Sequence, residues 1–288
     1  MKLARRDFLK MTAGTTGLLL LRPPGLKALA GKLANQSEVG LLIDVSKCVG
    51  CWWCYMACKE YNGLPETGMP SPEQPPGLAP STWITLFTKK DADRWRFRRQ
   101  ACMHCTDAAC VKVCPTGAVK HNDLGFVQYD RDLCSGCGYC AENCPFDVPK
   151  LQRNRYTGVG QMNKCTFCID RVANGQPTSC AEACPTGATK YGNRIELQEE
   201  GKQRVIELRK TKPEANLYGL DKVEGLHVLY VLDDSPQAYG LPTNPEVPLT
   251  VMLHNILQQV GIWAVAAAVT GFGFNYFVAR MRISKGGK

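Results

Sequence analysis

The stretch Cys134-Ser-Gly-Cys-Gly-Tyr-Cys-Ala-Glu-Asn-Cys-Pro145 decides the reading of this chain. It sets four thiols at C-x2-C-x2-C-x3-C, with a proline directly after the last. Working outward, the same spacing stands at Cys48, Cys51, Cys54 and Cys58. Cys102, Cys105, Cys110 and Cys114 give C-x2-C-x4-C-x3-C-P, and Cys165, Cys168, Cys180 and Cys184 give C-x2-C-x11-C-x3-C-P. All 16 cysteines of the 288 residues fall into these groups and none is left over. The apolar share, 44%, is ordinary for a folded domain, so the unusual feature is the thiols, and they carry the function.

The C-x2-C-x2-C-x3-C-P run is the bacterial ferredoxin spacing for [4Fe-4S] clusters. Three close thiolates wrap three corners of a cube, and the fourth turns away to a neighbouring cube. The proline removes a backbone donor and redirects the chain. Sixteen thiols therefore predict four [4Fe-4S] clusters in two ferredoxin-like pairs. Zinc prefers two pairs of ligands to a triplet plus a remote fourth. Disulfides among three thiols so close in sequence would be strained. No C-x-x-C pair is followed by His, which argues against covalent haem.

An internal repeat supports the pairing: Cys114-Pro-Thr-Gly-Ala-Val-Lys120 returns as Cys184-Pro-Thr-Gly-Ala-Thr-Lys190. Residues 118–121 and 126–129 read as two strands around a polar turn, 195–210 as an exposed helix, and 228–232 as a buried strand. The six prolines of 64–80 mark a loop. In Arg94-Trp-Arg-Phe-Arg-Arg99, alternation predicts an edge strand with aromatics inward and arginines solvated. Lys47, Lys112, Lys164 and Arg171 flank the motifs; each could stabilise a reduced cluster or simply stand in solvent. His104, between Cys102 and Cys105, either modulates a cluster's surroundings or faces solvent. No nucleophile–base pattern, phosphate loop or dinucleotide fingerprint is present, so no catalytic residue is expected.

The two ends imply a topology. Arg5-Arg-Asp-Phe-Leu-Lys10, an apolar run and Ala28-Leu-Ala30 read as a twin-arginine export signal over 1–30. Residues 249–279 contain no Asp, Glu, Lys or Arg and are followed by Arg280, Arg282, Lys285 and Lys288. This predicts one transmembrane helix in lipid, with its C-terminal end in the cytoplasm and the main domain on the extracytoplasmic face. The expected organisation is thus the signal at 1–30, a four-cluster domain at 31–246, the anchor at 249–279 and a basic tail at 280–288. Within the domain the modules interleave, 41–63 with 160–192 enclosing 98–150. The fold class is α+β: two ferredoxin-like bis-[4Fe-4S] modules, loop-rich, plus the terminal helix.

The formal charge of +9 does not indicate nucleic acid. Much of it sits in the first thirty residues (Lys2, Arg5, Arg6, Lys10, Arg22 and Lys27 against Asp7), and anionic clusters offset the remainder.

Several segments carry a specific resemblance: Leu42-Ile-Asp-Val-Ser-Lys-Cys48, Cys102-Met-His-Cys105, Cys144-Pro-Phe146, Lys164-Cys-Thr-Phe-Cys-Ile-Asp-Arg171 and Gly225-Leu-His-Val-Leu-Tyr-Val-Leu232. Together with Tyr239-Gly-Leu-Pro242, they resemble the four-cluster iron–sulfur subunits of molybdopterin oxidoreductases, and among these the beta subunits of membrane-bound respiratory formate dehydrogenases. The resemblance implies four ligand sets: Cys48, Cys51, Cys54 with Cys184 (set A); Cys58 with Cys165, Cys168, Cys180 (set B); Cys102, Cys105, Cys110 with Cys144 (set C); Cys114 with Cys134, Cys137, Cys140 (set D). It also implies a non-catalytic role. Electrons would come from a molybdenum or tungsten bis-pterin subunit oxidising formate, and pass to a membrane cytochrome b and quinone. A hydrogenase or another molybdopterin oxidoreductase could use the same wire, and a zinc- or disulfide-bearing structural protein is the alternative of another class. Cys58 departs from the pattern, being followed by Lys59 and not proline.

Overall fold

The computed structural model describes residues 38–92, 94–158 and 160–285. The export segment expected at 1–30 lies outside the described residues, as does the end of the tail.

The chain opens with β1 (Val39–Asp44) and α1 (Trp53–Tyr61). The hairpin β2 (Thr85–Asp91) and β3 (Arg94–Gln100) follows, then α2 (Ala109–Lys112). Next come β4 (Val119–His121) with β5 (Val127–Tyr129), α3 (Tyr139–Glu142), and β6 (Lys150–Arg153) with β7 (Gly160–Asn163). The second half holds α4 (Ile169–Ala173), α5 (Ser179–Glu182), β8 (Thr189–Asn193), α6 (Arg194–Arg209), β9 (Asn216–Tyr218), β10 (Val228–Leu232) and α7 (Leu249–Lys285).

The main sheet has the order β8-β1-β10-β9. Its centre is the parallel pair β1–β10, in register from Leu41 against Val228 to Asp44 against Val231. With both faces covered, β10 is buried at every residue, as its unbroken apolar run predicts. Its even positions, Val228, Tyr230 and Leu232, join a core that also contains Cys58, Cys102, Cys165 and Cys180. Its odd positions, Leu229 and Val231, pack with Leu42, Leu197 and Val205 beneath α6. The sheet is therefore a partition, with thiols on one side and a helix on the other. Asn193 caps α6 by accepting from the backbone N–H of Ile195 and Glu196. Because Leu197, Gly201 and Val205 are buried, this helix is not exposed as its many charges suggest; only its outer face is.

The turn expected between the strands at 118–121 and 126–129 is present, with Asn122 N–H donating to the Phe126 carbonyl. The proline-rich loop is strapped to the domain. Thr85 and Thr88 hydroxyls donate to the Pro76 and Pro72 carbonyls. Lys59, standing where the other motifs have proline, is buried and donates to the carbonyls of Pro65 and Ser81, both at 2.8 Å.

The arginine-rich strand β3 departs from expectation. Arg98 and Arg99 are both buried, while Trp95 and Phe97 are only partly so. Arg98 donates to the Tyr239 carbonyl at 2.8 Å and lies over the Phe87 and Tyr230 rings. The strand is covered on both faces at its C-terminal end, so alternation does not separate charge from core there.

Helix α7 has 37 residues and continues past the expected end at 279. Its first turn is seated on the domain: Val251 is buried against Ala109 and Val113, and Thr250 Oγ1 donates to Asn143 Oδ1 at 2.9 Å. Among the described residues no helix is long and apolar enough to cross a membrane; the side chains at 252, 254–256, 258, 259, 262, 274 and 277–285 are not among those described.

Candidate metal centres

Each motif begins with a C-x-x-C loop, and all four loops share one backbone device. The residue before the second cysteine has positive φ in every case: Gly50 (68°), His104 (49°), Gly136 (68°) and Phe167 (62°). This bend aims the N–H of that same residue at the sulfur of the first cysteine, giving Gly50 to Cys48, His104 to Cys102, Gly136 to Cys134 and Phe167 to Cys165. N–H groups pointing at sulfur are what an anionic thiolate cage requires. Glycine at two of the four positions was the visible signal. His104 and Phe167, which bear the cost of a left-handed conformation, about 1–2 kcal/mol each, were not legible in this respect.

The two cysteines of the repeated C-P-T-G-A segments are held alike. Thr116 Oγ1 lies 3.7 Å from Cys114 Sγ, and Thr186 Oγ1 lies 3.7 Å from Cys184 Sγ. Burial raises the Cys184 thiol, but the Thr189 N–H, the Thr186 hydroxyl and the Ala188 N–H outweigh it and hold the pKa below its ordinary value.

The fold brings remote cysteines together. Cys58, Cys165, Cys168 and Cys180 line one small cavity, and Cys114, Cys134, Cys137 and Cys140 line another. Cys48 interacts electrostatically with Cys51 and Cys184, and Cys105 with Cys102, Cys110 and Cys144. Charges also meet between these groups, Cys54 with Cys180, Cys102 with Cys165, and Cys110 with Cys140. Thiols remote in sequence are thus neighbours in space, and two groups, one around Cys58 and one around Cys114, each ring a single cavity.

None of the sixteen is in a disulfide. Burial pushes most of them toward the neutral form, Cys48 up to about 11 and Cys54, Cys140 and Cys168 up to about 12, with neighbouring thiols adding to the rise. Buried thiols crowded in this way become thiolates when a cationic core takes the place of their protons. Among the described residues no three Cys, His, Asp or Glu side chains close on a point as one metal ion demands. Thiols ringing a cavity fit a polynuclear cluster, so the donor set fits iron–sulfur cages.

The flanking groups divide. Lys47 is exposed beside Asp44, Lys112 pairs with Asp107, and Arg171 pairs with Glu182. Lys164 is instead 1% exposed, its Nζ donating to the carbonyls of Val127 (2.9 Å) and Cys165 (3.0 Å). It ties the β4–β5 hairpin to the fourth motif. Lys164→Met leaves two buried acceptors unpaired and is expected to destabilise the protein by roughly 2–5 kcal/mol. The check is the thermal midpoint for loss of visible absorbance, which an unimportant lysine would leave unmoved.

His104 does not face solvent. It is fully buried, edge-on to Phe167 at 4.9 Å and Phe126 at 5.8 Å, while those two rings stack at 4.7 Å. Burial, with the nearby Lys164 charge, lowers its pKa well below the ordinary imidazole value, so it is neutral. The second and fourth C-x-x-C loops therefore meet ring to ring.

Comparison with known proteins agrees with this geometry. Residues 47–118 and 93–194 each match a family described as the 4Fe-4S dicluster domain. The chain is 38% identical over 253 residues to the formate dehydrogenase-O iron-sulfur subunit of Escherichia coli (strain K12), covering 84% of this chain and 81% of that protein. The hydrogenase-2 operon protein HybA of Shigella flexneri is 36% identical over 70% of this chain and 66% of its own length. The thiosulfate reductase electron transfer subunit PhsB of Salmonella typhi is 42% identical over 60% of this chain and 83% of its own.

Proposed function

This chain belongs to the formate dehydrogenase iron–sulfur subunits, and on that premise we propose that it carries electrons from a molybdenum or tungsten bis-pterin subunit oxidising formate to a membrane cytochrome b. It is an electron-transfer subunit with no catalytic residue of its own. Bound [4Fe-4S] clusters supply reversible one-electron chemistry. The protein's part is to hold them, dry them and space them.

The observation that carries this reading is that cysteines from remote motifs line shared cavities, Cys58 with Cys165, Cys168 and Cys180, and Cys114 with Cys134, Cys137 and Cys140. It supports four clusters held by set A (Cys48, Cys51, Cys54, Cys184), set B (Cys58, Cys165, Cys168, Cys180), set C (Cys102, Cys105, Cys110, Cys144) and set D (Cys114, Cys134, Cys137, Cys140). We keep Cys58 as a ligand although no proline follows it: it lies within α1, which runs on to Tyr61, and lines the cavity shared with Cys165, Cys168 and Cys180.

We read α7 as a membrane anchor, with the main domain on the extracytoplasmic face and the twin-arginine segment as its export signal. Support comes from the charge-free run at 249–279 and from exposed apolar side chains around the helix, among them Val260, Trp263 (72% exposed), Val269 and Phe272 (77%). At 1.5 Å per residue its length is about 55 Å, more than a bilayer core. Its base touches Ala109 and Val113, beside Cys110 and Cys114, and Asn143, beside Cys144, which suits a wire whose set C and set D end lies toward the membrane partner.

The hydrogenase-related and thiosulfate-reductase-related readings use the same wire but share less of the chain, and the donor decides among them. The test is EPR on the anaerobically purified complex, as isolated and after formate. Reduced [4Fe-4S] signals appearing with formate are expected. Signals with dithionite alone would keep the clusters and remove formate; no signal and no iron would remove both.

A further inference from the structure

Of the arginines on β3, three have conventional partners. Arg94 reaches Asp233, Arg96 engages Asp91 and Asp234, and Arg98 donates to the Tyr239 carbonyl. Arg99 has no carboxylate partner among the described residues. Its side chain is 2% exposed, Nε and Nη1 have no hydrogen-bond partner, and Nη2 lies 4.0 Å from Cys165 Sγ. It lines the cavity shared by Cys58, Cys165, Cys168 and Cys180, and its charge also acts on Cys54 of set A and Cys102 of set C.

A guanidinium is charged under all relevant conditions, and burying one without an anion costs several kcal/mol. The groups that can supply the anion here are the thiolates around that cavity. A fixed cation at a redox centre stabilises the state with one more electron. Accepting that electron moves no proton at Arg99, so the effect falls on the electron equilibrium alone.

Resting on the four-cluster reading, we propose that Arg99 is a positioning residue for redox energy. Its buried, carboxylate-free charge beside Cys165 raises the reduction potential of the cluster in set B and, by its central place, keeps that cluster reducible between its neighbours.

The test is EPR-monitored potentiometric titration of the purified complex bearing Arg99→Gln or Arg99→Lys, with iron analysis. A wild-type protein without iron would defeat the cluster reading before any variant is compared. With wild-type iron present, Arg99→Gln is expected to lower the reduction constant of one cluster at least tenfold, 59 mV for a one-electron couple, while Arg99→Lys keeps most of the wild-type value. Arg99→Gln with full iron and unmoved potentials overturns the proposal. If Arg99→Gln loses iron, Arg99→Lys decides. Full iron at the wild-type potential shows that the site needs the charge, and loss of iron there too assigns Arg99 to packing and overturns the proposal.

Discussion

Anaerobic removal of iron is expected to unfold the domain, with far-UV circular dichroism and visible absorbance lost in one transition. The thiols are not appended to a finished core but are part of it. Cys58, Cys102, Cys165 and Cys180 sit among Leu41, Ile43, Phe126 and Tyr230, and Cys140 packs with Val119, Val127 and Met162. Helices α2, α3 and α5 have four residues each, too few to stand alone. Hairpins β4–β5 and β6–β7 are equally short. Structural metal sites supply on the order of ten kcal/mol each, as much as the whole stability of an ordinary domain, about 5–15 kcal/mol. Stripping the cages also leaves sixteen crowded thiols that gain protons in a buried space. An apo-protein that keeps its native circular dichroism would refute this account.

The second large effect is expected at Gly136. Its φ of 68° lies in the left-handed region, and an added Cβ would overlap the backbone carbonyl of Gly160 on β7. Gly136→Ala must therefore bear the conformational penalty and push the β6–β7 hairpin away from the third motif. The combined loss is roughly 2–5 kcal/mol, concentrated where Cys134, Cys137 and Cys140 stand. The expected readout is loss of one cluster's share of iron with the others retained. Full iron at an unchanged melting temperature would show that the loop adapts. Gly50 holds the same place in the first motif, but a Cβ there meets the Phe97 ring, a side chain and not backbone. Its substitution should be the milder of the two.

What was legible in the sequence, and what was not, follows from how local each feature is. The hairpin around Asn122, the buried strand at Val228–Leu232 and the position of α6 are set by patterns within a dozen residues, and the structure has all three. The partial burial of α6 escaped because Leu197, Gly201 and Val205 form a narrow stripe among many charges. The burial of Arg98 and Arg99 is not visible in the alternation, because the groups that face them are far away in the chain, the Tyr239 carbonyl for Arg98 and thiols such as Cys165 and Cys180 for Arg99. The burial of Lys164 and His104 has the same origin. Alternation reports which face of a strand is wet; it cannot report a charge whose partner is assembled from another module. Cysteine spacing, by contrast, is a local pattern that points to clusters, while the pairing of each group with a remote fourth thiol is what the family resemblance implies.

The parallel pairing of β1 with β10 has a consequence for when the molecule can be made. β1 leaves the ribosome first, yet its hydrogen-bonded neighbours are β8 and β10, formed by residues about 150 and 190 positions later. On the proposed ligand sets, set A likewise waits for Cys184 and set B for Cys180, whereas every thiol of sets C and D is present once Cys144 has emerged. During synthesis the inner pair can mature while the outer pair is still open, so the opening segment must stay unpaired until nearly the whole domain exists. On those sets, iron would be delivered to this chain from the middle outward, and β1 would be the last strand to be secured.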